Sequence, residues 1–289
     1  MTMEMTRRGL GVMAAGAGVA LAQKRAKFHF VHVTDLHIQP ELRAAERCVG
    51  CMGLINKEKP AFVIAGGDLV FDALAVPKDR ARMLFQLYQE TVKRLEAPLH
   101  NTLGNHDVFG LYEKSGVSPG EVGYGKKMYE DRIGRRYYSF TYSGWHFVVL
   151  DSIGMTPERT YIGEVDAEQL EWLKGDLEAA GKGTPVVVVT HVPLSTGVVQ
   201  WMRPKHDRRM ILVQNSADVL ELLAQYNVKM VLQGHTHVIE TLQYRGIQFV
   251  TSGSVAGESW KGPKWGQHPE GFGVLDVEGE EIRWSYRRA

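Results

Sequence analysis

Five apolar runs along the chain break off at polar residues able to bind a metal or move a proton. Phe28 to Thr34 ends in Asp35-Leu36-His37, and Phe62-Val63-Ile64-Ala65 ends in Gly66-Gly67-Asp68. Leu99 to Leu103 runs into Gly104-Asn105-His106-Asp107, Val186 to Thr190 into His191, and Val228 to Leu232 precedes Gly234-His235-Thr236-His237. Short runs of this composition predict strands. Side chains on a strand alternate faces, so the i and i+2 pairs Asp35 with His37 and His235 with His237 are each expected to point one way. In open α/β sheets, ligands gather just beyond the carboxyl ends of strands, which is where these residues fall.

Helical patterns alternate with the strands. Helices are predicted near Glu41 to Lys57 and from about Lys78 to Leu95, the latter carrying Leu84, Leu87, Tyr88, Thr91, Val92 and Leu95 at helical spacing. Asp166 is expected to cap a third over Ala167 to Ala180, and Ser216 a fourth over Ala217 to Tyr226. Tyr137 to Tyr142, Trp145 to Leu150, Thr241 to Val250, Phe272 to Val277 and Ile282 to Tyr286 read as strands, several paired as hairpins across Gly144, Gly246 and Gly279. Helices outside two mixed sheets is the layering expected of such an alternation. Three long stretches, 110–134, 194–215 and 255–271, carry aromatic and basic residues and are expected to form a rim able to grip a phosphate and stack a ring.

At 289 residues, with no repeat or low-complexity linker, the chain reads as one large domain. A formal net charge of +1, about zero without residues 1–22, advertises no nucleic-acid or acidic-membrane partner. The N-terminus reads differently from the rest. Arg7-Arg8 precedes a mild Gly/Ala-rich stretch and Ala20-Leu21-Ala22, resembling a twin-arginine (Tat) export signal. The expectation is a signal over residues 1–22, recognised by the Tat export machinery, a catalytic domain over 23–289, and a periplasmic or secreted product. The apolar stretch is short of the roughly 20 residues a membrane span needs. Cys48 and Cys51 lie on one predicted helix face with no second pair, which argues against structural zinc and for two small buried thiols, although export would permit a disulfide.

Carboxylate, imidazole and amide donors without sulfur suit Mn, Fe(II) or Zn. The ordered set D-x-H, G-D, G-N-H-D, a lone His after a strand, and G-H-x-H resembles the calcineurin-like metallophosphoesterase superfamily from Phe28 to roughly Trp284. That resemblance implies an α/β fold, a four-layer αββα sandwich of two mixed sheets flanked by helices. It also implies two divalent metal ions. Asp35, His37 and His237 would hold one, Asn105, His191 and His235 the other, and Asp68 would bridge them. His106 would act as general acid or position the phosphate, with Asp107 orienting its ring. The implied chemistry is hydrolysis of a small phosphate mono- or diester, with an acidified bridging water attacking in line and no covalent phosphoenzyme.

Purple acid phosphatases place a tyrosine three residues after the bridging aspartate; here that position is Phe71. Many cyclic-nucleotide relatives carry a second histidine after the lone one; here Val192-Pro193 follows His191. The other reading, a binding or scaffolding protein on the same fold, would be free to lose these groups, yet all are intact. His29, His32, His100, His146, His206 and His268 fall outside the motifs and read as packing or surface residues, with only His206 and His268 on loops able to reach a substrate. Ser195 and Ser252 lack an obvious base partner and read as polar loop groups.

Overall fold

The computed structural model of the protein describes residues 26–201 and 207–289. The expected export signal and the rim residues Arg203, Lys205 and His206 lie outside the described residues. In chain order the larger elements are β1 (Lys27–Val33), α1 (Ala44–Glu58), β2 (Val63–Ala65), α2 (Lys78–Val92), β3 (Leu99–Asn101), α3 (Lys127–Arg132), β4 (Tyr138–Tyr142) and β5 (Trp145–Val149). There follow β6 (Ile153–Met155), β7 (Tyr161–Gly163), α4 (Ala167–Ala180), β8 (Val186–Val189), α5 (Ser216–Leu223), β9 (Val228–Gln233), β10 (Ile239–Tyr244), β11 (Ile247–Ser252), β12 (Gly271–Glu278) and β13 (Glu281–Arg288).

Two mixed sheets form the centre, one of five strands ordered β13-β12-β1-β2-β3 and one of six ordered β10-β11-β9-β8-β5-β4. The strands β1, β2 and β3 run parallel, as do β5, β8, β9 and β11. Strand alternation divides the core. Phe30, Phe62, Ile64, Phe147, Val187, Val189 and Leu232 pack together between the sheets. Their neighbours Val31, Val63, Ala65, Val148, Val186, Val188 and Val231 belong to the cluster that includes the helix residues Leu84, Phe85, Leu173 and Leu177. This is the four-layer helix–sheet–sheet–helix arrangement. It explains why Val186 to Val189 is apolar at every position, because a parallel strand buried on both faces has no polar side. Phe30 meets Phe147 at 5.4 Å between ring centroids and Phe62 meets Phe140 at 5.5 Å, both edge to face across the two sheets. Fully burying each such ring stabilises the fold by roughly 1.5–3 kcal/mol.

Several expected boundaries shift for local reasons. The first helix begins at Ala44 rather than Glu41, because Leu42 and Arg43 adopt left-handed φ values of 55° and 54°. Ser216 is the first residue of α5 rather than its cap. Asn215 holds the cap position, and its side chain instead exchanges hydrogen bonds with the backbone of Val165, at 3.2 and 2.7 Å. In α4 the expected cap is present, the Asp166 carboxylate accepting from the Gln169 amide at 2.8 Å. Cys48 and Cys51 are free, buried thiols under α1. Among the described residues no helix is long and apolar enough to cross a membrane.

Candidate metal centre

Parallel pairing brings the motif residues to one edge of the sandwich. The C-terminal ends of β1, β2 and β3 adjoin in one sheet and those of β8 and β9 in the other, so Asp35, Asp68 and Asn105 face His191 and His235. A ligand atom from each of Asp35, His37, Asp68 and His237 lies within 4.8 Å of the others, and the same holds for Asp68, His191 and His235. Asp68 belongs to both groups. Its Oδ2 is 3.6 Å from His37 Nε2 and 3.2 Å from His191 Nε2. His237 Nε2 is 3.2 Å from Asp35 Oδ1 and 3.0 Å from His37 Nε2. The Asn105 side-chain oxygen sits 3.1 Å from His191 Nε2 and 2.9 Å from His235 Nδ1. All seven sequence-derived ligands therefore converge.

They do not converge by strand alternation. Asp35, His37, Asp68, His235 and His237 all lie past the ends of their strands with positive φ, 55°, 43°, 50°, 70° and 60°. Such conformations cost of order 1–3 kcal/mol per residue and persist only where the surroundings fix them. Here the fixing is visible. Asp35 N donates to Gly67 O and His37 N to Asp68 O, each at 3.0 Å, while His235 N donates to the Asp35 carboxylate at 3.1 Å. Gly104 has an extended backbone, and its role is close approach, since a Cβ there would overlap the Asp68 amide and Oδ1. Gly67 is needed twice over, with φ at +98° and a Cβ that would collide with the His191 ring.

Electrostatics prepare these donors for a cation. Burial pushes the Asp35 carboxyl up, but the adjacent His237 outweighs it and holds the group down at about 2. Burial also raises Asp68, and His191 together with His106 and His37 more than reverses that, keeping Asp68 well below the usual carboxylate range. His37 and His235 are lowered to about 3 by burial, so their imidazoles are neutral and offer lone pairs. His191 resists burial because Asp68 lies beside it, and is raised to about 9. A cation entering there displaces that proton, as metal binding to histidine generally does. His191 Nδ1 meets Gly66 O at 2.8 Å and His237 Nδ1 meets Gly257 O at 2.6 Å. Donation from Nδ1 to a carbonyl leaves Nε2 free to ligate, the usual outer support of metal-bound imidazoles. This oxygen and nitrogen set fits a pair of borderline divalent ions.

One expected contact is absent. The Asp107 carboxylate accepts from the backbone amides of Leu69, Val70 and Gly104 at 2.9, 3.1 and 2.9 Å, and it does not orient His106. Asp107 thus ties the Gly-Asn-His-Asp turn to the loop that carries Asp68. Burial and the charge of Asp68 push its carboxyl up to about 7 against those three amides. His106 is held instead through its backbone, whose N–H donates to Asp68 Oδ1 at 2.8 Å. Its ring lies 4.9 Å from that of His37 at 85°, and its Nδ1 has no hydrogen-bond partner.

Other expectations resolve from the same geometry. The 255–271 stretch reaches the centre through Gly257 O and through Trp260 Nε1, which donates to the carbonyls of Leu36 and His37 at 3.1 and 3.0 Å. His268 Nδ1 accepts from Ile239 N at 3.0 Å and secures that loop. Ser252 does meet an imidazole, His32 Nδ1 at 2.8 Å, yet it is buried and also accepts from Trp284 Nε1, which leaves it a structural hydroxyl. Phe71 sets its ring 6.3 Å from His37. Sequence reasoning missed Thr34, which donates to Asp35 Oδ2 at 2.7 Å, and Tyr161, whose ring stands edge-on to His235 at 6.1 Å and 90°. Tyr161 lies on the small β6–β7 hairpin, which no alternation long enough to read announces.

Residues 28–239 match the calcineurin-like phosphoesterase family, and the chain belongs to it. A dimetal phosphatase from Danio rerio is similar at 16% identity, with 89% of this chain and 98% of that one covered and a TM-score of 0.61. GAP50 of Plasmodium, described as the anchor in the inner membrane complex, is similar at 18% identity, with 90% and 84% covered and a TM-score of 0.57. These likenesses concern the fold. No match to a curated protein was found by sequence.

Proposed function

We propose that the chain hydrolyses small phosphate esters with the help of two divalent cations, Mn, Fe(II) or Zn. The observation that carries this reading is the doubly shared Asp68, whose carboxylate belongs to both groups of buried ligands. Asp35, His37 and His237 would hold one ion and Asn105, His191 and His235 the other. Bound there, the ions would neutralise the phosphoryl oxygens and acidify water for in-line attack.

The chain's own residues do the rest. The His106 imidazole, fixed at its backbone and with Nδ1 sealed from solvent, protonates the leaving alkoxide or holds a phosphoryl oxygen through its other ring nitrogen. Asp107 keeps the turn that presents it in place. No covalent step is required, and Ser195 and Ser252 take no part.

A panel of chromogenic phosphate mono- and diesters, assayed with each metal in turn, tests the class and ranks the two ester types. Turnover of at least one ester, dependent on added metal, is expected. A correctly folded, metal-loaded protein inactive on the whole panel would count against it.

A further inference from the structure

Tyr161 sits where no motif placed a residue. Its ring packs edge-on against His235, and the side chain is 6% exposed. The hydroxyl has no hydrogen-bond partner among the described residues, and it is not one of the sealed polar atoms that lack one. It is therefore reached by solvent, on a ring that lies against His235.

The strand that carries Tyr161 is firmly placed. Met155 pairs with Tyr161 across the hairpin, and Gly163 bridges to Val213. Arg159, two residues earlier, donates to the carbonyls of Leu111, Gly110 and Val117 at 3.0, 2.8 and 2.7 Å. Those carbonyls belong to the loop that leaves the Gly-Asn-His-Asp turn, itself tied back where Ala73 N donates to His106 O at 2.8 Å. The hairpin thus spans from the His106 side of the centre to His235, and Tyr161 is the side chain it presents there.

We propose that Tyr161 is a substrate-contacting residue whose phenol donates a hydrogen bond to a phosphoryl oxygen of the bound ester. The proposal rests on the phosphoesterase reading. A phenol is neutral near pH 7 and carries an O–H that donates to an anion. A donor in a partly dry site, facing an anion, is the arrangement that stabilises charge on a reacting phosphoryl group.

Tyr161→Phe removes only the hydroxyl and keeps the ring against His235. Metal content and Tm should match wild type, while kcat/KM falls about 10- to 100-fold, the usual worth of a hydrogen bond to a charged group. Affinity of the Mn-loaded protein for inorganic phosphate, measured by calorimetry, should fall by a similar factor. That readout does not depend on turnover, so an inactive wild type would sink the ester-hydrolysis reading while the phosphate comparison still decides on Tyr161. Unchanged phosphate affinity would overturn the proposal. A Phe variant that misfolds or loses metal would also overturn it, by showing that the hydroxyl serves the protein's own structure.

Discussion

Asp68→Ala is expected to strip both cations and reduce turnover on every ester by on the order of 10³-fold or more. Among the described residues Asp68 is the one side chain that belongs to both groups, so its removal opens both at once. The same change takes away the Oδ1 that accepts from His106 N and exposes that amide to an unpaired state. The local cost is about 1–3 kcal/mol. Asp68→Asn separates the two effects, because an amide oxygen can still accept from His106 N but carries no charge for the ions. Both variants should be folded by circular dichroism and nearly metal-free by elemental analysis. Two ions per chain retained in Asp68→Ala would refute the bridging role.

His106→Ala should behave in the opposite way. Its link to Asp68 runs through the backbone, which alanine retains, so metal content should stay near normal. Turnover of an alkyl ester should fall about 10²–10⁴-fold if the imidazole protonates the leaving group. A nitrophenyl ester leaves readily without a proton, so its deficit should be much smaller. Equal slowing of both esters would assign His106 to holding the phosphoryl group instead. Loss of metal would show that the ring, 4.9 Å from His37, supports that ligand.

What the sequence made legible was whatever depends on periodicity and composition. Val186 to Val189 announced a strand, and Asp166 announced the start of α4 because a carboxylate accepts from an orphan helix amide wherever the two meet. That these donors meet was legible because donor-rich residues follow directly on apolar strands. The manner of their assembly was not. Asp35, His37 and His235 take left-handed backbones held by hydrogen bonds to Gly67, Asp68 and the Asp35 carboxylate, long-range contacts that leave no local pattern. Asp107 was misread for a similar reason. Adjacency to His106 suggested a side-chain pair, whereas three amides from the turn and from Leu69 and Val70 claim its oxygens. Ser216 lost the cap position to Asn215 because Val165, distant in sequence, engages the Asn215 side chain. The β6–β7 hairpin, with strands of only three residues, is too short for alternation to register, and Tyr161 was lost with it.

The central claim is that a metal pair held by these buried carboxylates and imidazoles is indispensable to the chemistry. Its most direct test is turnover of a nitrophenyl phosphate ester by chelator-treated protein whose metal content has been verified as nil. The expected result is no activity above background, restored by Mn, Zn or Fe(II) with a stoichiometry approaching two ions per chain. Undiminished turnover in the verified metal-free protein would contradict it.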